Sequence, residues 1–296
     1  VSPRRAAAGP ALPAAGPALP AAGPEPGDAD RPERGAADRP ERSAVPEPAT
    51  ARATKLLAPN PSPMTLEGTN TWVLREPGRA DCVVVDPGPE HEGHLQAVAA
   101  MGPVALVLLT HGHPDHAEGA RRFHELTGAP VRALDPAHRY GGEGLTRDGE
   151  VIAAAGLEVA VLATPGHSGD SLCFLLTADD AVLTGDTVLG RGTTVVAHPD
   201  GRLADYVDSL ERLRALGSHT VLPGHGPVLP HAGQAAEAYL AHRTERLAQV
   251  RAALRGGARS VEDVVAVVYA DVDRALWPAA RLSVQAQLYY LGERPG

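Results

Sequence analysis

From about residue 53 onward, short apolar runs alternate with helical patterns, which predicts a layered α/β fold. Two further features organise the chain. The side chains best suited to hold a metal fall just after predicted strands, and a Pro/Ala/Gly-rich stretch before residue 53 stands apart from the rest.

Residues 1–52 consist of Pro, Ala, Gly and charged residues, with 9–15 repeated as 16–22 and 29–34 repeated as 37–42. Such a segment has no apolar face to bury and is predicted to stay disordered. Its repeats are too short and too Pro-rich for a solenoid. Predicted strands follow at 70–74, 82–86, 104–110, 131–134, 158–162, 172–177, 181–185 and 220–222. Predicted helices cover 92–101, 116–127, 203–216 and 233–255. After Gly256-Gly257, Ser260 is a candidate N-cap for a helix over 261–269, and a second helix is predicted over 279–291. The expected organisation is a tail (1–52), a main domain (53–257) and a small helical C-terminal module (258–296).

With 43% hydrophobic residues the chain can build a sizeable core. It has no apolar run of about 18 residues, so no membrane span is predicted, and the N-terminus lacks the order of a signal peptide. Cys82 and Cys173 both sit in apolar runs and read as buried free thiols, which fits a cytoplasmic location. Net charge is -9; the tail balances seven Arg against seven acids, so the folded part carries the excess. An acidic domain repels phosphate backbones, which weakens a nucleic-acid function and leaves RNA as the alternative partner to a small molecule.

The chemistry concentrates in Thr110-His111-Gly112-His113-Pro114-Asp115-His116, which ends a fully apolar predicted strand. Imidazole and carboxylate are preferred zinc donors, and rigid elements on both sides suit a metal site. A competing reading makes Asp115 and Glu118 a helix capping box. Further ligands should also end strands. His167, Asp186 and His225 do so, each preceded by a Gly that permits a tight turn. Singly, a loop His or a turn Asp is commonplace; with the first cluster these residues form a specific constellation.

This order of motifs resembles the metallo-β-lactamase superfamily over about residues 56–255. The resemblance implies an αββα sandwich with two Zn²⁺ per chain at one edge. It assigns His111, His113 and His167 to one ion, Asp115, His116 and His225 to the other, and Asp186 to both. The segments 60–71 and 185–195, Pro223-Gly224-His225-Gly226-Pro227-Val228 and His242-Arg243 look like the β-lactamase-like-protein-2 branch. That branch carries a C-terminal winged-helix module, whose β-wing is expected to be missing or rudimentary here.

The expected activity is hydrolysis by a metal-bridging hydroxide, with Asp115 orienting the water and shuttling its proton. Asp86, at the end of a strand, is expected to orient ligands, with Thr110 and Ser168 in support; Asp86 reads equally as a turn residue before Pro87-Gly88. Asn70, Thr193 and Thr194 are expected to line the pocket. With 3% aromatic residues to stack on bases, a small acyl substrate (thioester, ester or lactone) is favoured over single-stranded RNA. The remaining alternatives are a mononuclear iron enzyme of the persulfide-dioxygenase type, which needs only two His and one Asp, and a non-catalytic scaffold, which would have shed ligands.

Overall fold

The computed structural model describes residues 45–145 and 148–293. Strands β1 (Glu47–Pro48), β2 (Ala53–Leu57), β3 (Asn70–Leu74), β4 (Cys82–Val85), β5 (Val104–Leu108) and β6 (Val131–Arg132) form one sheet in chain order. Pairing is antiparallel from β1 to β4 and parallel from β4 to β6. Strands β7 (Val151–Ala154), β8 (Leu157–Ala163), β9 (Leu172–Leu176) and β10 (Ala181–Gly185) form an antiparallel second sheet, closed by β11 (Thr220–Pro223) parallel to β10.

Strand alternation explains how the sheets stack. Trp72, Leu74, Val83 and Val85 point to one side and pack with Val159, Val161, Phe174 and Leu183 of the other sheet. Their neighbours Val73 and Val84 point outward, against Leu95 and Val98 of α1 (Glu92–Ala99) and Phe123 of α3 (Ala120–Thr127); α2 (Pro114–Ala117) precedes α3. On the outer face of the second sheet, Cys173, Val182 and Val221 meet Tyr206 and Leu210 of α4 (Leu203–Arg214) and Ala236 and Tyr239 of α5 (Ala232–Arg255). The result is the expected αββα order of layers. Both cysteines are free and buried.

Val250 of α5 also packs with Val264 and Val265 of α6 (Val261–Val268) and Val284 of α7 (Trp277–Tyr290). Ser260 caps α6 through a capping box with Asp263. Among the described residues no strand follows β11.

Three differences from the sequence reading have physical causes. Residues 1–44, most of the segment predicted to stay disordered, lie outside the described residues, but Glu47–Pro48 pairs with Thr54 and Lys55. Arg52 anchors this corner, 2.6 Å from both Glu76 and Asp179. The helix predicted over 116–127 breaks at Gly119, whose N–H donates to the Gly88 carbonyl and whose missing Cβ allows that close approach. Finally, β2 escapes a search for apolar runs because Thr54 and Lys55 interrupt it, and β7 is a four-residue edge strand with Val151 and Ala153 exposed.

Candidate metal centre

The turns that leave β4, β5, β8, β10 and β11 at their C-terminal ends converge at one edge of the sandwich. They bring Asp86, the 111–116 segment, His167, Asp186 and His225 together. Two sets of donor atoms result. In the first, His113 Nδ1 lies 3.1 Å from His111 Nε2 and 2.9 Å from His167 Nε2, and Asp186 Oδ2 is 3.7 Å from His167 Nε2. In the second, His116 Nε2 lies 3.3 Å from Asp115 Oδ2, His225 Nε2 and Asp186 Oδ1. His225 Nε2 is 3.1 Å from Asp115 Oδ2 and 3.3 Å from Asp186 Oδ1. Four ligands bonded tetrahedrally at about 2.0–2.1 Å stand about 3.3 Å apart, so the separations in the second set match such a metal shell, and His111, His113 and His167 of the first set also form a group that could hold a metal ion.

The outer nitrogens fix the tautomers. His116 Nδ1 donates to Asp86 Oδ2, His167 Nδ1 to the Val195 carbonyl and His225 Nδ1 to the Gly68 carbonyl. Carbonyl and carboxylate oxygens only accept, so in these three rings Nδ1 carries the proton and Nε2 faces inward. His111 Nδ1 donates to Thr110 Oγ1, which donates in turn to Asp86 Oδ2 at 2.7 Å. Asp86 also accepts from the Thr110 N–H at 2.8 Å. It adopts φ 52°, a conformation that is uncommon outside Gly and is held here by these three bonds.

Asp186 Oδ1 is buried without a hydrogen-bond partner, as expected for an oxygen reserved for a cation. Burial alone would raise the Asp186 and Asp115 carboxyls, but the neighbouring His116 and His225 hold both well below the usual range. Conversely, burial opposes charge on His116 and His225, but the surrounding carboxylates lift His116 well above the histidine range and His225 to about 9. His111 and His167 are pushed down, chiefly by burial. A cation suits this collection of inward lone pairs and carboxylates. Gly224 leaves room for it: a Cβ there would lie 2.7 Å from both Asp186 Oδ1 and His116 Cε1.

Asp115 does not cap the helix; His113 occupies the N-cap position of α2, with no side-chain cap bond. Thr193 and Thr194 line a cavity of about 300 Å³ that also exposes His167 and Asp186. Asn70, expected at that pocket, is instead buried below the 223–226 loop, where its Nδ2 donates to the Pro223 and Gly226 carbonyls. Ser168, expected to support a ligand, bonds Asp170 and Ser171. The sequence reading missed the Gly68 and Val195 carbonyls, and also Thr69, whose hydroxyl lies 3.5 Å from Asp115 Oδ2. Backbone carbonyls leave no signature in a sequence; Thr69 stood within the 60–71 segment.

The family model described as "Metallo-beta-lactamase superfamily" matches residues 64–225, more than half of the chain. The chain belongs to the metallo-beta-lactamase superfamily. A second model, "Beta-lactamase associated winged helix domain", matches residues 260–294. The His and Asp groups able to hold a metal ion all lie within the matched span. It is 36% identical over 213 residues to an atrochrysone carboxyl ACP thioesterase of Aspergillus fumigatus, covering 69% of this chain and 65% of that protein. It is thus similar to a protein of which it spans less than two thirds. Similarity to a beta-lactamase-like protein 2 homolog of Caenorhabditis elegans is 32% over 248 residues, covering 79% and 82%. Among solved structures, a beta-lactamase domain protein from Burkholderia ambifaria shares the fold with a TM-score of 0.73 at 22% identity, covering 86% of this chain and 91% of that one. Among the described residues no helix is long and apolar enough to cross a membrane.

Proposed function

We propose that this metallo-beta-lactamase-fold hydrolase is a dinuclear zinc enzyme that cleaves a small acyl thioester. The observation that carries this reading is the pair of metal-donor sets sharing Asp186 and opening on a cavity. His111, His113 and His167 would hold one ion, Asp115, His116 and His225 the other, and Asp186 both. Two zinc ions supply a water of lowered pKa as nucleophile and a Lewis acid for the carbonyl oxygen.

The chain's own residues do the rest. Asp86 holds His116 directly and His111 through Thr110, so both rings keep their Nε2 directed inward. The Asp115 side chain is 27% exposed, against 12% for Asp186 and 2% for Asp86. It is therefore the most exposed of the three carboxylates, and in this proposal it orients the attacking water and accepts its proton. The apolar part of the cavity, including Met64, Leu66, Leu189 and Leu276, excludes water from an acyl group. Similarity to a protein named a thioesterase supports the acyl substrate.

The test is turnover of valeryl-pantetheine and of a single-stranded RNA side by side, with His116→Ala as the blank. The proposal expects thioester cleavage that His116→Ala lowers at least 1,000-fold. Cleavage of RNA alone, or equal thioester rates in both proteins, would reject it.

A further inference from the structure

The cavity beside His167 and Asp186 carries more positive charge than a neutral acyl group needs. Arg191, Arg243 and Arg246 all line it. Arg191 is paired with Glu67 at 2.5 Å. Among the described residues, Arg243 and Arg246 meet no carboxylate. Arg243 is 4% exposed; its Nη2 donates to the Thr194 carbonyl and its guanidinium lies 5.1 Å over the Tyr206 ring. Its Nε is buried without a partner. Arg246, one turn further along α5, donates to Gln249 Oε1 and the Val268 carbonyl and lies 4.6 Å over Tyr269. His242, lining the same cavity, has a buried Nδ1 without a partner.

The buried Arg243 guanidinium and the unmet Arg243 Nε and His242 Nδ1 are costly to leave without a partner, and both guanidinium groups are held still by stacking and by carbonyl bonds. Donors fixed in this way are ready to receive an oxyanion. A second cavity touches the site at His113 and has the opposite character, being lined by Asp135, Asp170 and Asp200. This distribution of charge favours approach of an anionic group from the α5 side.

We infer that Arg243, Arg246 and His242 form an oxyanion subsite, and that the substrate is an acyl thioester whose acyl group ends in a carboxylate. This rests on the thioesterase reading. Arg243 and Arg246 take the carboxylate, the apolar lining holds the carbons between, and the scissile carbonyl is left at the metal donors. A phosphate on the thiol arm offers the same chemistry, so the two sources are tested separately.

The metal-reconstituted full chain is assayed with glutaryl- and valeryl-N-acetylcysteamine, which differ in a terminal carboxylate, and with valeryl-phosphopantetheine and valeryl-pantetheine, which differ in a phosphate. Calorimetry with the uncleavable thioethers S-(4-carboxybutyl)- and S-pentyl-N-acetylcysteamine reads binding without turnover. Arg246→Met and Arg246→Lys are the variants, because Arg243 also braces Thr194. The expected result is at least a tenfold preference for glutaryl over valeryl in kcat/KM and for the carboxylated thioether in Kd. Arg246→Met should cut both ratios to threefold or less, and Arg246→Lys should restore part of them. A tenfold preference for the phosphate and none for the carboxylate overturns the acyl carboxylate and assigns the subsite to the thiol arm. No preference for either anion, or ratios that Arg246→Met leaves intact, overturns the subsite. Tight binding of the carboxylated thioether with no thioester turnover would keep the subsite and reject the thioesterase.

Discussion

Protons and metal ions compete for the same nitrogens in this centre. In the metal-free chain His116 and His225 are held above the ordinary histidine range, His225 at about 9, by the carboxylates around them. Both therefore carry protons at pH 7, and a bound cation must displace them. Metal uptake is expected to release protons at pH 7 and to tighten as pH rises toward about 9, which calorimetry in buffers of different ionisation enthalpy would measure. Because these values lie above the unfolded one, their stabilising effect on the metal-free chain is complete below about pH 6.5 and is lost as pH rises through the folded value. Asp86→Asn removes the charge behind His116 and Thr110 but tolerates the positive φ. It is expected to weaken metal affinity about 10–100-fold in a chelator competition, with little change in fold. At this scale the ligand candidates were legible because imidazole and carboxylate are rare in tight clusters at strand ends. The tautomer-setting carbonyls of Gly68 and Val195 were not, since every residue has one.

Loops make the centre, and small residues and amides hold the loops. The 223–226 loop that presents His225 is tied down by Asn70 from β3 and passes close to Asp186 at Gly224. Gly224→Ala would press a methyl against Asp186 and His116, so loss of metal with a mostly preserved circular dichroism spectrum is expected. Asn70→Ala strips two donors from buried carbonyls and should destabilise the chain by roughly 1–3 kcal/mol in urea unfolding, with weaker metal retention. Asn70 shows the limit of reading by segment. Its neighbourhood suggested a pocket residue, but only the fold puts its amide under the loop across 153 positions of sequence. Strands with continuous apolar runs, such as β4 and β9, announced themselves, whereas β2, with Lys55 at its centre, did not. The break at Gly119 depends on the Gly88 carbonyl, a partner from another part of the chain.

For the whole molecule, two apolar sheet faces pack on each other and helices cover the outsides, so the αββα order follows from period-two alternation within the strands. The layers were legible as a class; which edge carries the site depends on pairing that no local pattern encodes. Because the donors come from turns after strands of both sheets, a bound metal ties the sheets together. At a free metal concentration of about 1,000 times Kd the gain is about 4 kcal/mol, so chelation should lower Tm by several degrees in a thermal scan. The central claim is that two zinc ions share Asp186. The direct measurement is metal content by mass spectrometry after reconstitution with zinc and desalting, for wild type and Asp186→Ala. Two zinc ions per chain, falling to one or fewer in the variant, is the predicted result. One iron per chain in protein purified without added metal, or a zinc content that Asp186→Ala leaves unchanged, would contradict it.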